Sequence, residues 1–186
     1  GRVPDGGGNA RGTVGKRVAS ESPTVTSVEF DVDPGTMQMS IAVEGETGEI
    51  LDRDRDEIDI PDFTGTEIVL STPAFVRARN NMEWQRLVQD WDAVPTANRE
   101  FRRTDHLLLR FEAYTPGTEI AEVKARLLNR GGDAIVPLDV TPAEDGRPYQ
   151  VDIAPVYLPP GDYVIELAAT TLTSEITELI AFRLVS

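Results

Sequence analysis

The stretch of sequence that decides the fold is LPPGDYVIELAAT, residues 158–170. Its first five residues carry turn chemistry, because proline presets the backbone angle of a turn while glycine and aspartate tolerate the tight conformation that follows. From Tyr163 to Ala169 the segment is rich in the aromatic and aliphatic residues that pack well in a strand. A turn followed by a strand of this kind recurs through the second half of the chain.

The second half of the chain contains six candidate strands with turn signals between them. The turn signals are proline and glycine pairs, such as Pro116-Gly117 and Gly131-Gly132. The candidate strands comprise residues 106–114, 122–128, 134–140, 149–153, 163–169 and 176–184. Strands at this spacing predict an all-β chain whose C-terminal domain, residues 105–186, is an immunoglobulin-like antiparallel β-sandwich.

The segment from Leu158 to Ile165 resembles the penultimate-strand signature of immunoglobulin-like and fibronectin-like bacterial sandwiches. Together with Ser71-Thr72-Pro73 and with Arg103-Thr104 before an apolar strand, it makes residues 66–186 similar to one family region. That region is the C-terminal β-region of secreted, von Willebrand A-domain-containing proteins of Acidobacteria-like bacteria. The A domain itself is missing, since no Asp-x-Ser-x-Ser metal-adhesion motif occurs in this sequence. The resemblance implies export and a surface or periplasmic setting, and it implies no catalytic activity.

Residues 24–79 show the two-residue period of a second, small antiparallel β-domain. Apolar and acidic residues alternate over residues 28–32, the turn Asp33-Pro34-Gly35 follows, and residues 37–43 alternate again. We interpret this pattern as a hairpin with one solvent-facing, acidic face. Shorter strands are predicted at residues 50–51, 58–60 and 67–70.

Residues 80–104 interrupt the strand pattern and predict one short helix followed by a linker. Asn80 or Asn81 is a candidate N-cap. The apolar residues that then recur at helical spacing are Trp84, Leu87, Val88 and Trp91. The two tryptophans have two interpretations: core packing, which is the usual role of such a stripe, or an exposed platform that stacks on the rings of a glycan.

Residues 1–23 are rich in glycine, serine and arginine and lack an apolar period, which is typical of an extended arm. The arm has four basic and two acidic residues, a net charge of +2, whereas residues 28–69 have 13 acidic residues and two arginines, a net charge of −11. Ordering such an arm costs about 1–2 kcal/mol per residue, so it needs a surface to lie on. This charge distribution is typical of contact between neighbouring copies, although a solvated arm beside an acidic surface has the same composition.

An acidic run, residues 52–59, is the candidate metal site. Alternate aspartates point hard oxygen ligands in one direction, as a Ca²⁺ site requires. The candidate ligands are Asp52, Asp54, Asp56 and Asp62. The run is not an EF-hand loop, because Glu57 and Phe63 stand where that loop requires glycine and a bidentate acid. The alternative is a charged strand edge, whose charges discourage pairing with other chains.

Composition and motifs argue against several functional classes. The chain has no cysteine, which removes disulfides, thiolate nucleophiles and cysteine metal sites. His106 is the only histidine, and no Gly-x-Ser-x-Gly or phosphate-binding motif accompanies it. We therefore predict no catalytic residue, and no cofactor apart from the Ca²⁺ hypothesis. A net charge of −14 disfavours nucleic-acid partners, and no apolar run reaches the roughly 20 residues of a membrane span.

The sequence favours a non-catalytic structural or interaction protein located outside the cell, at the cell surface or in the periplasm. Its predicted partner is another copy of itself or another surface protein. In the sharper form of the hypothesis, the arm from about Arg11 to Val25 adds a strand to the next copy's sheet and gives a polymer or filament. The side chains that enter the pockets of that sheet are then Val14, Val18 and Val25. The alternative is a carbohydrate- or calcium-binding accessory module of a larger secreted protein.

Overall fold

The computed structural model describes residues 31–115, 121–144 and 147–186. The chain divides after Val32 into two units, and nearly all of the described residues belong to the second unit, Asp33–Ser186. The predicted arm, residues 1–23, lies outside the described residues. Within them the chain is mostly β-structure with one short α-helix, as the sequence predicts.

Among the described residues, the four longest strands are the first two and the last two. In chain order the elements are β1 (Gly35–Glu44), β2 (Ile50–Ile60), β3 (Val69–Leu70), β4 (Ala74–Ala78), α1 (Asn81–Leu87), β5 (Glu100–Arg102), β6 (His106–Phe111), β7 (Ala113–Tyr114), β8 (Glu122–Asn129), β9 (Ala134–Leu138), β10 (Val140–Thr141), β11 (Tyr149–Ile153), β12 (Gly161–Thr170) and β13 (Glu175–Val185). A short 3-10 turn also occurs at Pro155–Tyr157.

Nine of these strands form two sheets. One sheet has the strand order β10-β11-β6-β4 and the other the order β5-β13-β12-β8-β9. This is the arrangement of an immunoglobulin-like sandwich, in which the first, second, fifth and fourth strands form one sheet and the third, sixth and seventh form the other. The pairings are antiparallel except that between β13 and β5. The predicted sandwich is therefore confirmed.

One hydrophobic core lies between the two sheets and is built from alternate residues of each strand. On β6 it includes Leu107, Leu109 and Phe111, and on β12 it includes Ile165 and Leu167. None of these five side chains is more than 2% exposed. Because successive side chains of a strand point to opposite faces, a slip of one residue would expose the whole set, and this fixes the register.

A tyrosine fixes the entry of the chain into β12. The hydroxyl of Tyr163, a residue 6% exposed, donates a hydrogen bond of 2.7 Å to the carbonyl oxygen of Pro159. This is the tyrosine corner of immunoglobulin-like domains. The position two residues later holds a disulfide cysteine in antibody domains and is filled here by the fully buried Ile165. Packing of that side chain stands in for the covalent link.

Three strands extend the sandwich beyond the predicted elements. β4 pairs with β6, although its residues fall in the predicted first domain, so the pairing crosses the predicted boundary at residue 79. β5 pairs with β13, although the sequence indicates only a helix and linker over residues 80–104. The predicted strand at residues 134–140 divides at Asp139, and its two parts join different sheets as β9 and β10.

Among the described residues, β1 and β2 form a two-stranded sheet of their own. β1 pairs with β2 from Gly35 opposite Ile60 to Glu44 opposite Ile50, with a bulge at Leu51. The strand β2 thus merges the predicted strands 50–51 and 58–60 into one. The predicted pairing of residues 28–32 with β1 falls mostly outside the described residues and stays a prediction.

Candidate functional site

The β1–β2 hairpin is the most exposed regular element among the described residues. None of the 10 residues of β1 or the 11 residues of β2 is buried. The half-buried residues are Met37, Met39, Ile58 and Ile60. A two-stranded hairpin without further packing is marginally stable in water, so an element of this length is expected to gain a partner.

One face of the hairpin combines an apolar row with an aspartate row. Directly opposed residues of antiparallel strands point to the same face. The opposed residues on this face are Met37 and Ile58, Met39 and Asp56, Ile41 and Asp54, and Val43 and Asp52. We call the β1 members the apolar row and Asp52, Asp54 and Asp56 the aspartate row. Ile41 and Val43 are each 52% exposed, so the apolar row is open to solvent.

The opposite face of the hairpin carries the two arginines of the acidic run. Arg53 lies opposite Ala42, and Arg55 lies opposite Ser40. The alternation of Asp and Arg in the sequence therefore places the three aspartates on one face and both arginines on the other. On the face with the aspartate row, exposed apolar side chains lie directly opposite the charges, whereas the exposed apolar side chain of the other face, Ile50, lies opposite Glu44 at the end of the hairpin.

The two long edges of the hairpin differ in their backbone groups. The N–H groups of Arg53 and Arg55 each donate a hydrogen bond of 2.8 Å to the carboxylate of the preceding aspartate. The carboxylates of Asp52 and Asp54 thus occupy the outer edge of β2, as expected for a protected strand edge. Opposed amides of such pairs point away from each other, so the N–H groups of Ser40 and Ala42 point to the outer edge of β1. Among the described residues, β1 pairs only with β2.

The calcium ligands predicted from the sequence are not brought together. Same-face side chains of one strand are roughly 7 Å apart, so the aspartate row does not converge on one point. The carboxylate of Asp62 instead accepts hydrogen bonds from the hydroxyl and the backbone N–H of Thr64, at 2.7 and 2.8 Å. These bonds, the hydroxyl first, lower the pKa of Asp62. In the part of the chain that the structure describes, no three acidic or histidine residues are grouped to hold a metal ion, and the calcium hypothesis stays a prediction.

A buried arginine attaches helix α1 to the outer face of the four-stranded sheet. Arg110 of β6 is 7% exposed, and its Nη1 and Nη2 donate to the carbonyl oxygens of Asp90 and Leu87 at 2.6 and 2.8 Å. Its Nε donates to Oε1 of Gln150 at 3.0 Å. The last carbonyl groups of a helix lack partners within it, and a cation is favourable there. Burial lowers the pKa of this guanidinium, against the opposing effect of the Asp90 charge.

The predicted helix start is confirmed, and both tryptophans lie against side chains of the chain itself. Asn80 is the N-cap and accepts a hydrogen bond from the N–H of Glu83. The half-buried ring of Trp84 lies 5.1 Å from the ring of His106. The half-buried ring of Trp91 contacts the guanidinium of Arg110 at 4.7 Å. No residue of α1 is buried, so the stripe packs on the sheet surface; the glycan hypothesis stays a prediction.

A second exposed apolar surface lies beside β9. It is a groove of about 320 Å³ whose lining includes Ile135, Val136, Tyr157 and Leu158. Tyr157 is 88% exposed. Pro137 stands in the middle of β9 and removes a backbone donor from that edge. The groove therefore has apolar surface but a poor edge for strand pairing.

Sequence reasoning identified the aspartates but missed the apolar row and Arg110. The signal for the row was present, since residues 37–43 alternate, but the alternation was interpreted only as a hairpin with one solvent-facing, acidic face. The signal for Arg110 was a single arginine inside an otherwise apolar strand, His106–Phe111. The predicted partner-binding residues Val14, Val18 and Val25 lie outside the described residues.

No helix among the described residues is both long and apolar enough to cross a membrane.

The comparisons with known proteins assign no family. A scan against protein-family models and a search of the curated proteins both return no match to this chain.

Proposed function

We propose that this chain is a non-catalytic structural or interaction protein of the cell exterior that assembles with copies of itself. Its N-terminal arm, from about Arg11 to Val25, adds a strand to a sheet of the next copy. The contact joins two different surfaces, the arm and a sheet edge, so it is heterologous. A heterologous contact that does not close into a ring continues as a polymer or filament.

The observation that carries this proposal is the exposure of the β1–β2 hairpin. Its two strands have no buried residue. Its most exposed apolar side chains are Ile41, Val43, Ile50 and Leu51, at 52, 52, 51 and 64%. Exposed apolar side chains concentrated on one element are typical of a contact surface. A further strand on this hairpin would cover both apolar surface and open backbone edge.

The composition of the arm fits strand addition. Backbone hydrogen bonds provide most of such a contact, and only a few side chains need pockets. In the arm these are Val14 and Val18, with Val25 at its end, among small and polar residues. The net charge of +2 on residues 1–23 also matches the net charge of −11 on residues 28–69.

The proposed location outside the cell has separate support. It rests on the resemblance of residues 66–186 to the β-region of exported bacterial proteins. An immunoglobulin-like sandwich is common in cell-surface domains, and this chain folds without the disulfide of antibody domains.

The experiment that tests this function compares the size of the full chain with that of a chain lacking residues 1–23. We expect light scattering and negative-stain microscopy to show oligomers or fibres of the full chain and monodisperse monomers of the shortened one. Monomers of equal stability in both samples would refute assembly through the arm.

Matched variants within the full chain separate strand addition from a general effect of the arm. The double variant Val14→Gln, Val18→Gln removes the proposed pocket side chains and should abolish assembly. Val3→Gln changes the same residue type outside the proposed strand and should leave assembly unchanged. Equal behaviour of these two proteins would mean that the valines at 14 and 18 do not enter the contact.

A further inference from the structure

Strand addition requires an open sheet edge of sufficient length, and most edges of the described residues are short. At the edges of the two sandwich sheets, β4 and β9 have five residues each, β5 has three and β10 has two. β3 and β7 have two residues each. The outer edge of β2 is occupied by aspartate carboxylates, which accept hydrogen bonds from the N–H groups of the same strand.

Among the described residues, the outer edge of β1 has none of these obstacles. The strand is 10 residues long, contains no proline, and has no charged residue before Glu44 at its end. Natural proteins usually protect such an edge with charges, proline or a covering element. An edge of this length that no described residue covers is a template for pairing with another chain.

We infer that the outer edge of β1 receives the arm of a second copy, with residues 13–19 as the added strand, in place of the pairing with residues 28–32 that the sequence predicts. This assignment rests on the proposed function and names the receiving site. The added segment is about as long as the part of β1 that carries the apolar row, and its backbone groups pair with those that Ser40 and Ala42 point outward.

The alternation of the arm matches the face with the apolar row. In an extended segment Val14, Lys16 and Val18 point to one side. With that side over the apolar row, the two valines cover Met39 and Val43, which lie on either side of Ile41. The other side of the segment, which includes Arg17, then meets the hairpin face that carries the charged residues Arg53, Arg55, Glu57 and Asp59.

Lys16 matches the aspartate row. Neighbouring strands are about 4.8 Å apart, so the β2 side chains lie about 10 Å from the added strand. The aliphatic stem of a lysine lies readily along apolar side chains while its ammonium group reaches a polar partner. Lys16 thus crosses the apolar row at Ile41 and pairs with Asp54, the residue opposite.

Charge reversal in the full chain tests this pairing. Lys16→Glu and Asp54→Lys each replace an attraction by a repulsion, and each should raise the dissociation constant about tenfold. An equimolar mixture of the two variants should recover the association of the unaltered protein, because every contact in an alternating assembly again joins opposite charges. Sedimentation velocity over a concentration series measures all three samples.

The control for charge is Lys124→Glu, at the only other lysine of the chain. Lys124 is exposed and pairs with Glu122 at 2.9 Å within its own strand. This variant should associate as the unaltered protein does. The assignment of the β1 edge would be overturned if Lys16→Glu and Asp54→Lys associate as Lys124→Glu does, or if their mixture fails to recover association.

A backbone variant tests the edge without changing a charge. Ser40→Pro removes an N–H group that points away from β2, so it blocks the receiving edge and leaves the β1–β2 ladder in place. Its assembly should be lost, and assembly at the unaltered level would overturn the inference.

Failure of this inference differs from failure of the proposed function. If the full chain assembles and Val14→Gln, Val18→Gln prevents it while the β1 variants have no effect, only the receiving edge is wrong. If the full chain is monomeric at every concentration, both fail.

Discussion

At the scale of single residues, the hydroxyl of Tyr163 joins the turn before β12 to the strand itself. Its hydrogen bond to Pro159 is partly buried, so Tyr163→Phe leaves a carbonyl oxygen without this partner. We expect a loss of about 1 kcal/mol in the free energy of unfolding, measured by denaturant unfolding with an unchanged slope. Tyr157→Phe, at a tyrosine 88% exposed, should change it by less than about 0.5 kcal/mol. Equal losses would contradict the role of the corner.

A second tyrosine has a pH-dependent contact. The hydroxyl of Tyr114 donates a hydrogen bond to the carboxylate of Glu112, and this bond, followed by burial, raises the pKa of Tyr114 to about 12. The folded-state pKa is above the ordinary value, so the stabilisation is complete below about pH 10 and is lost as the pH rises towards 12.

The tyrosinate absorbance of the four tyrosines measures this shift. We expect Tyr114→Phe to remove a step of the alkaline titration near pH 12. Glu112→Gln should move that step to lower pH, because the negative acceptor is gone. If Glu112→Gln leaves the titration curve unchanged, the carboxylate of Glu112 does not raise the pKa of Tyr114.

At the scale of elements, helix α1 depends on one arginine of the sheet beneath it. Arg110→Met removes the donors to Leu87, Asp90 and Gln150. Hydrogen bonds from a charged group contribute about 1.5–3 kcal/mol each, but not additively, so we expect a loss of about 2–3 kcal/mol in the free energy of unfolding. Tryptophan emission should also shift to longer wavelength, since Trp91 contacts this guanidinium.

The matched control for this prediction is an arginine on the helix itself. Arg86 is exposed, and its Nη2 lies 3.9 Å from the sulfur of Met82. Arg86→Met should change the free energy of unfolding by less than about 0.5 kcal/mol. A loss as large as that of Arg110→Met would place the attachment of α1 elsewhere.

The elements show which parts of the fold can be predicted from sequence. β11, β12 and β13 lie within a residue or two of their predicted bounds, because their apolar residues alternate between well-marked turns. β5 was missed, since three residues with one buried side chain, Phe101, give no period. The division at Asp139 was missed because the chain passes from one sheet to the other there without any interruption in its strand-like residue pattern.

The candidate site was predicted only in part, for a related reason. The alternation over residues 37–43 predicts a strand but not which face is covered, since covering depends on contacts that are distant in sequence. The aspartate row was visible as a run of acids. Its relation to the apolar row depends on the register of β1 with β2, and the hairpin predicted from the turn at Asp33-Pro34-Gly35 pairs β1 with a different segment.

At the scale of the whole molecule, the sandwich and the hairpin are stabilised in different ways. The sandwich strands share one core, with side chains such as Leu109 and Ile165 fully buried. The hairpin strands have no buried side chain. Local opening costs least where few apolar contacts must break, so backbone amides of the hairpin should open far more often than those of β12.

Hydrogen exchange of the full chain at several concentrations tests this difference together with the proposed assembly. In dilute solution the amides of β12 should exchange slowest and those of β1 and β2 fastest. With assembly, protection should rise first at the outward amides of β1, such as Ser40 and Ala42, because the added strand supplies their hydrogen-bond acceptors. The outer amides of β2, at Arg53 and Arg55, already donate to aspartates and should gain less. Greater new protection on β9 than on β1 would instead identify the groove beside β9 as the receiving surface, because only a paired or covered edge loses its exchange with water.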